Sequence, residues 1–148
     1  MEKKDVDSLG FLLAEIIRLH HARTFNLFAQ LGLYRGQPPI LFVLWKEGGK
    51  TQKEIADALR LKPSTITVTL KRMEKAGLLE RRSDPQDLRI SRVYLTEKGY
   101  NLQREVEKAL KAFEDECFKG FTLEEKVLLR RFFIQIRDNL IRANGGGC

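Results

Sequence analysis

Apolar residues recur along the chain in a helical rhythm that breaks once, near its middle. From Val6 to Leu31, the residues Leu9, Leu12, Leu13, Ile16, Ile17, Leu19, Phe25, Leu27, Phe28 and Leu31 predict one long helix with Gly32 as its stop. They cover more than one stripe, so this helix needs a large partner surface. Gly36-Gln37-Pro38-Pro39 opens a second helix, Pro39 to Lys46, that carries Ile40, Leu41, Val43 and Leu44 and ends at Gly48-Gly49. Proline suits such a start because a first turn does not use its missing N–H. Thr51-Gln52-Lys53-Glu54 has the form of a capping box, in which threonine and glutamate satisfy each other's backbone N–H groups. The third helix then runs to about Leu59, with Ile55, Ala56 and Leu59 inward. Arg60-Leu61-Lys62 makes a short turn. Pro63 starts a fourth helix that ends at Gly77, and Ile66, Leu70 and Met73 fall on one face of it.

After Gly77 the rhythm changes. Leu78 to Arg82 and Ile90 to Leu95 are strand-like, and the polar, turn-prone segment Ser83 to Arg89 joins them. Thr96 caps a fifth helix reaching about Lys119, with Leu102, Val106, Ala109, Leu110 and Phe113 at helical spacing. Thr122-Leu123-Glu124-Glu125 is a second capping box, and opens a sixth helix to about Arg142. The expected fold is mainly α with a small β-hairpin wing. A winged helix-turn-helix lobe over residues 36–95 is flanked by dimerisation helices over 1–35 and 96–143, and residues 144–148 form a flexible tail. The first, fifth and sixth helices are too apolar for a monomer surface, and a second copy can cover them. A compact monomeric bundle is the other arrangement that hides them.

Length and charge narrow the reading. At 148 residues the chain makes one domain, or a small lobe plus helices that depend on a partner. Its net charge is +7, and 12 basic against 7 acidic residues lie between Lys46 and Arg92. That excess suits phosphates, though it also fits a merely soluble basic surface. No run of about 18 apolar residues marks a membrane span, and the charged start MEKKDVDS does not read as a signal peptide. The expected location is therefore the cytoplasm. Cys117 and Cys148 are too few for a disulfide framework and fit no zinc spacing. Cys117 shares a helical face with Leu110 and Phe113 and is expected to pack there. Cys148 ends a glycine-rich tail. No G-x-S-x-G, P-loop or H-E-x-x-H motif occurs, so neither an enzyme nor a cofactor or metal is expected.

A helix, a turn, a second helix and a hairpin together can put one helix in a DNA major groove and the hairpin arm in the minor groove. With Ile66, Leu70 and Met73 inward, Ser64, Thr65, Thr67, Val68, Lys71 and Arg72 are left for solvent or DNA. Short hydroxyls there can bond base edges and phosphates, and the helix N-terminus favours an anion. Serine and threonine are also ordinary helix-start residues, so their value rests on their place after the turn.

Four motifs carry a family resemblance: Pro63-Ser64-Thr65-Ile66-Thr67, Arg72 through Leu78 (RMEKAGL), Asp84 through Arg89 (DPQDLR), and Leu95 through Gly99 (LTEKG). In this order, between apolar helices, the chain resembles the multiple-antibiotic-resistance regulator (MarR) family of winged-helix transcription factors, nearly end to end. The resemblance implies a two-fold homodimer of triangular outline on a pseudo-palindromic operator, and usually repression relieved by a small ligand or an oxidant. It implies that Arg89 enters the minor groove, that Asp87 orders the wing, and that Arg81, Arg82 and Arg92 flank it as phosphate contacts. A narrow A·T groove does concentrate negative potential that attracts arginine. Val68 departs from the family, which often has arginine there; valine can only touch a thymine methyl. Thr69 also replaces a commonly larger apolar residue.

The resemblance further implies a crevice for a small anionic or aromatic effector, with Arg18, His20, His21, Arg23, Tyr34 and Trp45 as candidates. Adjacent histidines point about 100° apart on a helix, so they do not form the usual i, i+4 metal pair. The family's organic-peroxide sensors use a cysteine in the first helix, and this chain has none there. A nucleic-acid module without sequence preference, or a protein-interaction adaptor, is the competing class.

Overall fold

The computed structural model describes residues 8–145. Its elements are α1 (Leu9–Gln30), α2 (Gln37–Lys46), α3 (Gln52–Leu59), α4 (Pro63–Lys75), β1 (Leu79–Ser83), β2 (Ser91–Leu95), α5 (Glu97–Cys117) and α6 (Leu123–Ala143). The mainly helical fold with one antiparallel hairpin is the one the pattern predicts. Boundaries move by a few residues. The α1 helix begins at Leu9, behind an N-cap in which Ser8 Oγ accepts from the Phe11 amide. The expected start at Val6 and the Cys148 tail lie outside the described residues. Both predicted capping boxes form, at Thr51/Glu54 and Thr122/Glu125.

The chain divides into two compact units, residues 1–110 and 111–148. In the first unit the core gathers Leu33, Ile40, Leu41, Leu44, Ile55, Ala56, Ile66, Leu70, Met73, Leu78, Leu79, Val93, Leu95 and Val106. It draws on α2, α3, α4, both strands and α5, which holds the three short helices against the hairpin. Strand register pairs Leu79 with Leu95 and Arg81 with Val93, so the apolar residues of the two strands share the core face. A single bridge from Lys50 to Val93 docks the segment before α3 onto the hairpin.

The link from hairpin to α5 is built tightly. Thr96 Oγ donates to the Gly77 carbonyl (2.5 Å) and accepts from the Gly99 amide (3.2 Å), while Lys98 Nζ reaches the Ala76 carbonyl (2.9 Å). These bonds satisfy carbonyls left open at the end of α4. Gly99 packs so closely that a Cβ there would lie 2.2 Å from the Leu78 carbonyl oxygen. The Trp45 indole N–H donates to the Gly99 carbonyl at 2.9 Å.

Many large apolar side chains of α1 and α6 stay exposed, among them Leu12, Ile16 and Leu19 on α1 and Val127, Leu128 and Phe132 on α6. Neither helix contains a fully buried residue. Cys117 corrects the expectation that it packs: it is exposed, although Phe113 four residues before it is half-buried. It is the last residue of α5. No helix among the described residues is long and apolar enough to cross a membrane.

Candidate nucleic-acid interface

The α4 helix is anchored by one face. Ile66, Leu70 and Met73 are buried, as their spacing predicts. Ser64, Thr65, Val68, Lys71 and Arg72 are exposed on the remainder, and Val68 is 54% exposed. No side chain caps the start of α4, which follows Lys62. Thr67 stands apart from this group. It is half-buried, its hydroxyl donates to the Pro63 carbonyl at 3.0 Å, and the Gln52 side-chain amide donates to it.

The hairpin tip is held by two aspartates. Asp84 Oδ1 accepts from the backbone amides of Gln86 (2.8 Å) and Asp87 (3.2 Å), and Oδ2 accepts from Arg92 Nε (2.6 Å). Asp87 Oδ1 accepts from Arg89 N (3.1 Å) and Nε (3.0 Å), and Oδ2 accepts from Nη2 (3.0 Å). The backbone closes the turn through Asp84 N to Ile90 O and Ile90 N to Asp87 O. The Arg92 side-chain hydrogen bond holds the Asp84 carboxyl below the ordinary aspartate range, and the Arg89 bond does the same for Asp87. Both arginines are pushed further above their already high values by those same bonds.

The four wing arginines therefore differ. Arg89 is 90% exposed on a side chain oriented by Asp87. Arg92 is half-buried and turned inward: besides Asp84 it donates to the Gly49 carbonyl (2.9 Å) and lies 3.7 Å from Glu54. Its bonds tie the wing to the segment before α3. Arg81 sits 3.5 Å from Glu74 of α4. Arg82 pairs with Glu80 and stacks 4.6 Å above the Tyr94 ring. That ring packs against Gly49, where a Cβ would come within 3.0 Å of it. The sequence pattern does not single out Gln52, Gly49 or Tyr94, because their roles depend on contacts far along the chain.

A crevice of about 800 Å³ opens between α1, the following loop and α2. Phe25, Phe28, Tyr34, Phe42 and Pro38 line it, and His21, Thr24, Asn26 and Arg35 add polar or cationic side chains. Of the effector candidates it brings together His21 and Tyr34. Arg18, His20, Arg23 and Trp45 are not among its lining residues; Arg18 lies 3.9 Å from Glu15, and Trp45 is bonded to Gly99. The His20 and His21 rings meet edge to face at 5.8 Å, and no metal-binding cluster occurs among the described residues.

An anchored helix with a largely polar outer face beside a cationic hairpin tip is the arrangement found in DNA-binding transcriptional regulators of the winged-helix class. Comparison with known proteins gives the same answer. The MarR family model matches residues 33–91. An uncharacterised HTH-type transcriptional regulator of Bacillus subtilis (strain 168), YwoH, is 34% identical over 102 residues, 69% of this chain and 74% of that protein. The crystal structure of MarR superposes with a TM-score of 0.74 at 29% identity, covering 90% of this chain and 98% of that one. The structure of reduced AbfR bound to DNA matches with a TM-score of 0.65 at 25% identity, covering 93% and 96%. The chain belongs to the MarR family, whose members are transcriptional regulators and not enzymes.

Proposed function

We propose that the protein is a homodimeric, sequence-specific repressor in the cytoplasm, seated on a pseudo-palindromic operator and released by a small effector. The exposed face of α4 enters the major groove, where Ser64, Thr65 and Val68 meet base edges and Lys71 and Arg72 meet phosphates. The wing enters the adjacent minor groove with Arg89 at its tip. The observation that carries this reading is the 90% exposed Arg89 guanidinium, held in one orientation by Asp87 on the same unit as an α4 whose polar face is free. Arg81 and Arg82 lie on β1, and their weak surface pairs with Glu74 and Glu80 can open in favour of phosphates. Arg92 acts through the wing's shape.

The apolar faces of α1 and α6 support dimerisation, since such patches are rare on soluble monomers. The crevice supports an aromatic or amphipathic effector. Phe25, Phe28 and Phe42 offer stacking surface, and Arg35 offers a partner for an anionic group. The region assignments follow: 36–95 reads DNA, and 1–35 with 96–143 dimerise.

Selection of bound duplexes from a random pool tests this reading. The expected winners are two-fold symmetric sites with half-site centres about 10 bp apart, because both α4 helices must meet one face of the duplex. Winners without symmetry, or no enrichment at all, would favour a module lacking sequence preference and overturn the proposal.

A further inference from the structure

Thr67 is spaced along α4 like a reading residue, yet its one proton and one of its two lone pairs are already committed. A hydroxyl has one proton to donate and two lone pairs. The Thr67 proton goes to the Pro63 carbonyl at 3.0 Å, and one lone pair takes a proton from the Gln52 amide nitrogen. The second proton of that same amide goes to the Pro63 carbonyl at 2.9 Å. Three groups thus close a ring across the helix-turn-helix, from the first residue of α3 to the first turn of α4. The acceptor at Pro63 also fixes the amide's orientation, because a flipped Gln52 would set its oxygen against another carbonyl oxygen.

We infer that Gln52 is a positioning residue for DNA recognition and that Thr67 is its anchor rather than a base reader. This rests on the reading of α4 as the recognition helix. The turn between α3 and α4 contains Arg60, the one non-glycine with positive φ among the described residues, at +54°. The start of α4 has no side-chain cap of its own. Buried Ile66, Leu70 and Met73 set which face of the helix turns inward, and polar bonds add a further restraint at the end nearest the bases. The Gln52 amide supplies two of them. It thereby helps to set the azimuth at which Ser64, Thr65 and Val68 are presented, and small misplacements of such groups degrade recognition strongly.

The experiment uses the full chain with Gln52→Ala, Gln52→Glu, Thr67→Val, Thr67→Ser and the Gln52→Ala/Thr67→Val double variant. Gln52→Glu keeps the shape and suits a helix N-terminus but brings no protons, so it covers the case in which the alanine variant folds poorly. Binding is measured on the selected duplex and on a random duplex over a range of salt. Gln52→Ala, Gln52→Glu and Thr67→Val should each cut the ratio of selected to random affinity about five- to tenfold, or about 1–1.4 kcal/mol. The double variant should be no worse than the weaker single, Thr67→Ser should approach the parent, and the salt slope should not change in the variants that keep the net charge, Gln52→Ala and Thr67→Val. In the free protein, amide hydrogen exchange over Ser64–Val68 should quicken in Gln52→Ala.

Additive losses would show that the two residues act separately. A change in the preferred base on Thr67→Val alone would make Thr67 a reader. Equal weakening on both duplexes with a smaller salt slope would make Gln52 a phosphate contact. Unchanged exchange would mean that the ring does not hold the helix. Each of these overturns the inference. Failure of the parent to distinguish the duplexes would instead sink the recognition reading of α4, while the exchange measurement on free protein would still judge the clamp.

Discussion

Arg89 and Val68 stand out of the fold with opposite chemistries. Arg89 is 90% exposed, and its guanidinium pairs with Asp87 of its own turn. Its loss should leave the melting temperature within the small range usual for surface changes, about 0.5 kcal/mol. If it reaches the minor groove, Arg89→Ala should lower operator affinity about tenfold, equivalent to about 1.4 kcal/mol. Equal binding by parent and variant at physiological salt would remove the wing from the proposed interface. Val68→Ala should instead shift base preference and leave the salt slope alone, because an apolar contact releases no counterions. Gly99 has the opposite character. A Cβ at that position would collide with the Leu78 carbonyl at 2.2 Å and approach Leu95 at 3.0 Å. Backbone cannot yield as a side chain can, so Gly99→Ala should destabilise the fold by about 3 kcal/mol, read as a lower denaturant midpoint.

At the scale of the element, the wing is a hairpin whose tip is ordered by carboxylates. Asp84 and Asp87 both titrate below their ordinary value of about 3.9. For such groups the stabilisation is fully present above the unfolded pKa and disappears as pH falls through the lowered folded one. The tip should therefore keep its order from pH 8 down to about 5 and loosen only in stronger acid. The side-chain Nε–H signals of Arg89 and Arg92 give the measurement. They should be slow to exchange and unshifted across the neutral range. Loss of those signals between pH 7 and 6 would show that something other than the aspartates holds the turn. The α4 helix follows a related logic: apolar residues fix its depth and its inward face, and the polar ring through Gln52 ties its first turn to the start of α3.

For the whole molecule, charge and exposed apolar area lead to two further expectations. Lys71, Arg72, Arg81, Arg82 and Arg89 present five cationic groups around α4 and the wing. DNA affinity should fall steeply as salt rises from low to physiological concentration, because each neutralised phosphate releases counterions. A flat dependence would contradict the basic footprint. The uncovered apolar faces of α1 and α6 should bring two chains together at micromolar concentration, so light scattering should report twice the chain mass. A soluble species of single-chain mass at that concentration would leave those faces unexplained and the operator symmetry without a cause.

Much of the fold can be read along the chain because its determinants are local. A capping box needs only four consecutive residues, and Thr51-Gln52-Lys53-Glu54 declares one. The face of α4 that goes inward follows from the spacing of Ile66, Leu70 and Met73 alone. The resemblance to the MarR family already singled out Asp87 and Arg89, two residues apart, and the structure shows them paired with each other. What required the tertiary structure was every role set by residues far apart in sequence. Nothing along the chain foretells that Arg92 is held by Asp84 and Gly49, eight and forty-three residues away. The same is true of the Gln52 amide on the Thr67 hydroxyl, fifteen residues earlier, and of the Gly99 carbonyl that takes the Trp45 N–H. Periodicity records which face of an element is apolar. It does not record which polar partner arrives from elsewhere, and in this protein that partner separates the side chains left exposed from those that hold the exposed ones in place.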